Sequence, residues 1–260
     1  SEAFILSIDI PSGLFTDQGP ENLEAIIKSN FVLTFQSPKL VFFLPQTGPF
    51  IEQWEVLDIG LDPEYLETTE TDFELIGKNE ALRVYKPREK YAHKGSYGHS
   101  LIVGGSYGKM GAVCLAASAA LKAGSGLVTA YVPKIGYSIL QTSLPEVMVL
   151  TDSNVDMLEN IGFDMEPTIV GIGVGMGTND KTVTGFAYFL NKNKKPLVLD
   201  ADALNILSKN KSLLKKIPEN TILTPHPKEL ERLIGAWEDD FEKLDKVKEF
   251  SKKFKCIVVI

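Results

Sequence analysis

The sequence predicts an α/β fold, a mostly parallel sheet with helices on both faces, preceded by the C-terminal part of a second α/β domain. Three observations carry this. From residue 85 onward, runs that are apolar throughout alternate with amphipathic stretches, the pattern of strands covered on both faces by crossover helices. Most of these runs give way to a loop rich in Gly, Asp or Pro, where parallel strands turn into helices. Residues 1–62 hold strand-like runs between turn signals but too little apolar material for a core of their own, as in the tail of a domain whose beginning lies elsewhere.

In chain order, AFILSIDI, FVLTF and KLVFFL read as strands separated by the turn signals PSG, QSP and QTGP, and VLDIGL follows. Residues 63–84 are acidic, then mixed in charge, with no strong apolar period, and read as a linker to a domain spanning 85–260. There SLIVGG leads to a helix from Gly111 to Ala123, and LVTAYVP to one over 136–143. TIVGIGVG leads to a helix over 181–191, PLVLDAD to one over 203–214, and TILTPH to one over 227–234. The closing CIVVI resembles a central strand with nothing to cross back over the sheet, so the domain is expected to be C-terminally incomplete in this chain.

At 260 residues, with 44% apolar and 23% charged residues and a formal charge of −7, the composition is that of an ordinary globular protein. The charge argues against a nucleic-acid partner, which would need clustered Lys and Arg. It does not argue against nucleotides, because backbone N–H groups can hold phosphate without net positive charge. The longest apolar stretch, around 113–132, is broken by Lys122 and rich in Ala, Gly and Ser, so no membrane partner is expected. Two distant cysteines, Cys114 and Cys256, show no metal or redox spacing and fit a cytoplasmic location.

In open parallel sheets, ligands bind beyond the carboxyl ends of the strands. Four unusual segments fall there: GGSYGKMG, GVGMGT, DADALN and TPHPKE. Each alone reads as a plain turn, but four at one edge favour a single cleft. Gly105 and Gly108 would let the backbone cradle phosphate or an extended ligand. Met110 stands where a P-loop needs a hydroxyl, and neither glycine segment spells the dinucleotide fingerprint GxGxxG, so both motifs are rejected. Asp200 and Asp202 alternate after an apolar strand, one facing the ligand and the other capping the next helix if strand geometry persists. Asn205 closes the same segment and, with Asp200, is expected to bind the substrate. His226, between two prolines, reads either as a structural hydrogen bonder or as a ligand contact, and Glu229 either as a helix cap or as a cleft carboxylate.

The segments HKGSYGHSLIVGGSYGKMGAVCLAASAALKAGSGLVT, PEVMV, GVGMG, PLVLDADALNIL and ILTPHPKEL resemble, in order and spacing, the NAD(P)H-hydrate dehydratases. SIDIPSGL, KLVFFLP and VLDIGL resemble the closing section of the NAD(P)H-hydrate epimerase domain often fused upstream. The resemblance implies a ribokinase-like fold and the dehydration of (S)-NAD(P)H hydrate at the expense of ADP or ATP with Mg2+, by phosphorylating the ring hydroxyl and eliminating phosphate. It implies that Ala112, Gly175 and His226 contact the hydrate and that Glu229 belongs to the magnesium and water network. In the epimerase part it implies that Asp9 is the substrate-binding acid/base and Ser12 a K+ ligand, although an Asp in that segment is also an ordinary turn former. A homo-oligomer is expected. The family's presumed catalytic base and anion-hole glycines would lie beyond Ile260, so this polypeptide alone is expected to be inactive. A kinase of a vitamin precursor would share the fold without the full set of segments, and a non-catalytic nucleotide-binding module would lack the base.

Overall fold

The computed structural model describes residues 3–260, which divide into two compact units, one up to Pro87 together with 237–245 and the other of 88–236 with 246–260. The first unit holds β1 (Leu6–Ile8), β2 (Phe31–Phe35) and β3 (Trp54–Leu57) in a parallel sheet with β2 central, followed by the short helices α1 (Pro63–Thr68) and α2 (Lys78–Val84). Its core gathers Leu14, Ile26, Val32, Val41, Phe42 and Ile51.

The expected strand KLVFFL does not form. Residues 40–42 make a 3-10 turn instead, closed by the Phe42 N–H on the Lys39 carbonyl at 3.0 Å. Pro38 and Pro45 bracket the run, and Val41, Phe42 and Leu44 are all buried. Burial at both odd and even positions suits a turn, not the two-residue period of a strand.

The second unit contains β4 (His99–Val103), α3 (Met110–Lys122), β5 (Leu127–Val132), α4 (Gly136–Ser143), β6 (Met148–Thr151) and β7 (Ile169–Ile172). It continues with α5 (Asp180–Lys192), β8 (Leu197–Leu199), α6 (Asp202–Lys209), β9 (Ile222–Leu223) and α7 (Pro227–Ile234). The remaining elements of the chain are α8 (Asp240–Phe254) and β10 (Ile257–Val258). The seven strands are all parallel, in the order β10-β9-β8-β7-β4-β5-β6. Alternation along the strands sends side chains to two cores. Leu101, Val103 and Tyr131 meet the helices α5, α6 and α7, while Ile102, Val128, Ala130 and Val132 meet α3 and α4. Helices therefore cover both faces, as the apolar runs predict.

The helix expected over 203–214 breaks at Asn210, whose side-chain amide donates to the Ile206 carbonyl at 3.0 Å and competes with the helix ladder. A 3-10 turn over Lys211–Lys216 follows. Among the described residues, no helix is long and apolar enough to cross a membrane.

Candidate active site

From β4 the chain proceeds through β5 to β6 in one direction, and from β7 through β10 in the other. The order therefore reverses between β4 and β7, the place where open parallel sheets open a crevice for ligands. The loops leaving these two strands are GGSYGKMG and GVGMGT. They are stitched together: the Gly105 N–H donates to the Val174 carbonyl at 2.8 Å and the Ser106 hydroxyl to the Gly175 carbonyl at 2.8 Å.

Glycine is required here by space. A Cβ on Gly104 would stand 2.3 Å from the Val174 carbonyl oxygen. Gly175, at φ +61°, leaves 2.7 Å to the Lys109 carbonyl oxygen and 3.4 Å to the Ala112 Cβ. Ala112 and Gly175 are thus neighbours across the crevice. The two glycines expected to cradle phosphate differ: the Gly105 N–H is already bonded to Val174, whereas Gly108, at φ +78°, has open space around it.

Strand geometry does not persist through DADALN. Ala201, at φ +49° and ψ −118°, makes a tight turn in which the Ala203 N–H meets the Asp200 carbonyl at 3.1 Å. Asp200 turns its carboxylate onto the Ala201 N–H at 2.8 Å. Asp202 is the first residue of α6 and does not cap it; its carboxylate accepts the Gly177 N–H at 2.8 Å and lies 3.6 Å from the Lys109 ammonium. The Asn205 side chain is held at its carbonyl by Arg232 at 2.7 Å.

His226 is the N-cap of α7, with Pro227 at the first helical position. Its N–H donates to Glu229 Oε2 at 3.1 Å, its Nδ1 accepts the Lys228 N–H at 3.3 Å, and its Nε2 faces Glu229 Oε1 at 3.1 Å. With Nδ1 an acceptor, the ring proton sits on Nε2 and points at a buried carboxylate. Glu229 thus closes the capping box at the start of α7, as its helix-cap reading expects.

In the first unit, Asp9 has φ +64° and its carboxylate accepts the Phe35 N–H at 2.9 Å and the Thr34 hydroxyl at 3.2 Å. Lys39, which sequence reasoning placed in a strand, sets its ammonium 3.1 Å from that carboxylate and donates to the Phe35 and Ser37 carbonyls. Burial pushes the Asp9 carboxyl up, but the Phe35 N–H and the Lys39 cation outweigh it and hold the group below its ordinary value. Ser12 is exposed, and its carbonyl accepts the Ile27 N–H at 3.0 Å.

One prediction follows from the Lys39 contact. A depressed carboxylate contributes stability that is present above its unfolded value and lost as pH falls through the lower folded one. Lys39→Met removes the cation, so Asp9 should titrate higher, contribute less stability and complete that loss at higher pH. A carbon-13 carboxyl titration of Asp9 measures it, and an unmoved titration would show that the hydrogen bonds alone set the group.

A family model described as NAD(P)H-hydrate dehydratase matches residues 100–260. The chain belongs to the NAD(P)H-hydrate dehydratase family. It is 33% identical to the bifunctional NAD(P)H-hydrate repair enzyme of Coxiella burnetii, over 99% of this chain and 51% of that protein. The chain thus spans about half the length of such relatives. A ribokinase-like superfamily protein from Enterococcus faecalis superposes with a TM-score of 0.57 at 20% identity, over 71% of this chain and 64% of the other. The ADP/ATP-dependent NAD(P)H-hydrate dehydratase from Bacillus subtilis, co-crystallised with ATP/Mg2+, does so at 0.56 and 23% identity, over 70% and 64%. These two likenesses establish the ribokinase-like fold.

Sequence reasoning passes over Lys39 in the first unit, and Arg232 and the Asp202–Gly177 bond in the second. A lone cation leading an apolar run is a weak signal for Lys39. For the other two no local signal exists, because their partners are 27 and 25 residues away.

Proposed function

We propose that the second unit binds an NAD(P)H hydrate in the crevice between β4 and β7 and forms the substrate side of a nucleotide-dependent dehydratase. The observation that carries this reading is the juxtaposition of Ala112 and Gly175 at the point where strand order reverses. With nothing larger than a methyl at these positions the two loops close on each other, so a flat ring would lie at the mouth of the crevice against main-chain atoms and not between these two residues. Gly177 and Asp202 extend the same wall, and His226 with Glu229 offers a polar group at the start of α7. Asn205 serves it as a structural member, its amide engaged by Arg232 and Asp202, while Asp200 commits only one carboxylate oxygen, to the Ala201 N–H.

Bound ADP or ATP with Mg2+ would supply the phosphoryl group that turns the ring hydroxyl into a leaving group. Mg2+ keeps several waters and needs only one or two carboxylates beside substrate phosphates; Glu229, whose two oxygens already hold His226, would meet it through those waters, and no multi-ligand cluster occurs among the described residues. The open Gly108 is the position we assign to phosphate approach. For the first unit we propose membership in an NAD(P)H-hydrate epimerase domain with Asp9 as its acid/base. Ser12 is exposed, with its carbonyl taken by the Ile27 N–H, and no step is routed through potassium there.

Calorimetric titration of the chain with the S hydrates of NADH and NADPH, against NADH and NADPH themselves, tests the reading. Binding of a hydrate, abolished by Ala112→Leu with the fold intact by circular dichroism, is expected. Equal binding by the two proteins, or none by either, would overturn it.

A further inference from the structure

We propose that Asp202 is the positioning residue of this cleft, holding the loop 173–177 at both ends and tying it through Asn205 and Arg232 to helix α7. The inference rests on the reading of the cleft given above.

An acidic first residue of a helix ordinarily serves the free N–H groups of its own first turn. Asp202 serves another loop. Its backbone N–H donates to the Gly173 carbonyl at 3.2 Å, and its carboxylate accepts the Gly177 N–H at 2.8 Å. One residue thus brackets the whole glycine loop. The bracket has work to do, because Gly173, Gly175 and Gly177 have φ of +129°, +61° and +82°, and three such glycines in five residues form backbone with little conformational preference of its own.

The same carboxylate joins the other walls. Its second oxygen lies 3.4 Å from the Asn205 amide nitrogen, and the Asn205 carbonyl receives Arg232 of α7 at 2.7 Å. On the opposite side the Lys109 ammonium of the β4 loop stands 3.6 Å away. The side chain is only 17% exposed, so these bonds are made largely out of water, where geometry is kept. The turn that brings Asp202 there puts Ala201 at φ +49° and ψ −118°, a conformation that L residues adopt only where surroundings impose it and which gathers at ligand clamps.

Hydrogen–deuterium exchange and hydrate titration on three proteins test this. In Asp202→Ala, peptides covering 173–178 should exchange faster while β7 and β8 keep wild-type rates, and hydrate affinity should fall by about 10- to 100-fold, the worth of a hydrogen bond to a charged group. Asp202→Asn keeps an oxygen for the Gly177 N–H and should restore both to within a few-fold of wild type. Unchanged exchange in the alanine variant, or an asparagine variant as weak as alanine, would overturn the inference. If the wild-type chain binds no hydrate, the reading of the cleft fails, and the exchange comparison still decides whether Asp202 brackets the loop.

Discussion

Gly173→Ala should lower the stability of the second unit by about 3–5 kcal/mol, the sum of a strained backbone and an overpacked contact. Gly173 has φ +129°, and a Cβ there would lie 1.9 Å from the Asp200 carbonyl oxygen, 2.8 Å from the Ala203 Cβ and 3.0 Å from the Ala203 nitrogen. Two of the three obstacles are backbone atoms of the DADALN turn, so no rotamer change relieves the clash. That turn is itself fixed from behind by the Asp200 N–H on the Ile172 carbonyl and the Ala203 N–H on the Asp200 carbonyl. For a domain of this size the loss corresponds to a fall in Tm of roughly 6–20 °C. Gly108→Ala is the control. It shares a positive φ, +78°, but has nothing within 4 Å, so only the conformational cost of about 1 kcal/mol applies. Thermal unfolding of the two variants separates crowding from backbone strain, and equal falls would show that crowding at Gly173 contributes nothing.

The parts of the fold legible in the sequence were those with one dominant period. Continuous apolar runs such as LIV in β4 and LVL in β8 sit in strands buried on both faces, and the Pro at the start of α7 and Gly235 at its end, φ +91°, mark that helix by local chemistry. Strand β6 escapes because it is an edge strand with Met148 and Leu150 exposed, so its residues carry no buried stripe. Helix α8 escapes for the opposite reason. In DFEKLDKVKEFSKKF only Val247 and Phe250 are buried apolar anchors, too few to set a period among so many charges. KLVFFL misleads because β-rich composition measures fitness for a half-buried surface, not a backbone preference, and Pro38 and Pro45 decide the backbone instead.

For the site, the sequence locates loops and the structure decides pairings. Gly, Asp and Pro punctuation marks GGSYGKMG, GVGMGT, DADALN and TPHPKE, but which loops face each other depends on strand order, which punctuation does not encode. The neighbouring of Ala112 and Gly175 follows from β4 lying beside β7, across 62 residues of intervening chain that include β5 and β6. Asp202 shows the same limit on a smaller scale, since a carboxylate at the head of a helix reads as a cap until Gly177 is brought to it.

Glu229→Ala should separate the two readings that the sequence leaves open for that residue. Glu229 is 5% exposed and its two oxygens hold the His226 N–H and the ring Nε2. Removing it strands a backbone donor at the N-terminus of α7 and frees the imidazole to rotate, at a cost of about 1–3 kcal/mol. Hydrate affinity should fall by about 10-fold or more, because each 1.4 kcal/mol lost in positioning is tenfold in Kd. Glu229→Gln sharpens the test. A glutamine offers one acceptor where two N–H donors converge, and its amide hydrogens oppose whichever is left. Switching the ring tautomer does not help, since Nδ1 would then carry a proton toward the Lys228 N–H. The glutamine variant should therefore keep most of its Tm and still bind hydrate weakly. A lowered Tm with undiminished affinity in both variants would make Glu229 a cap and nothing more, and would remove His226 from the cleft's binding surface with it.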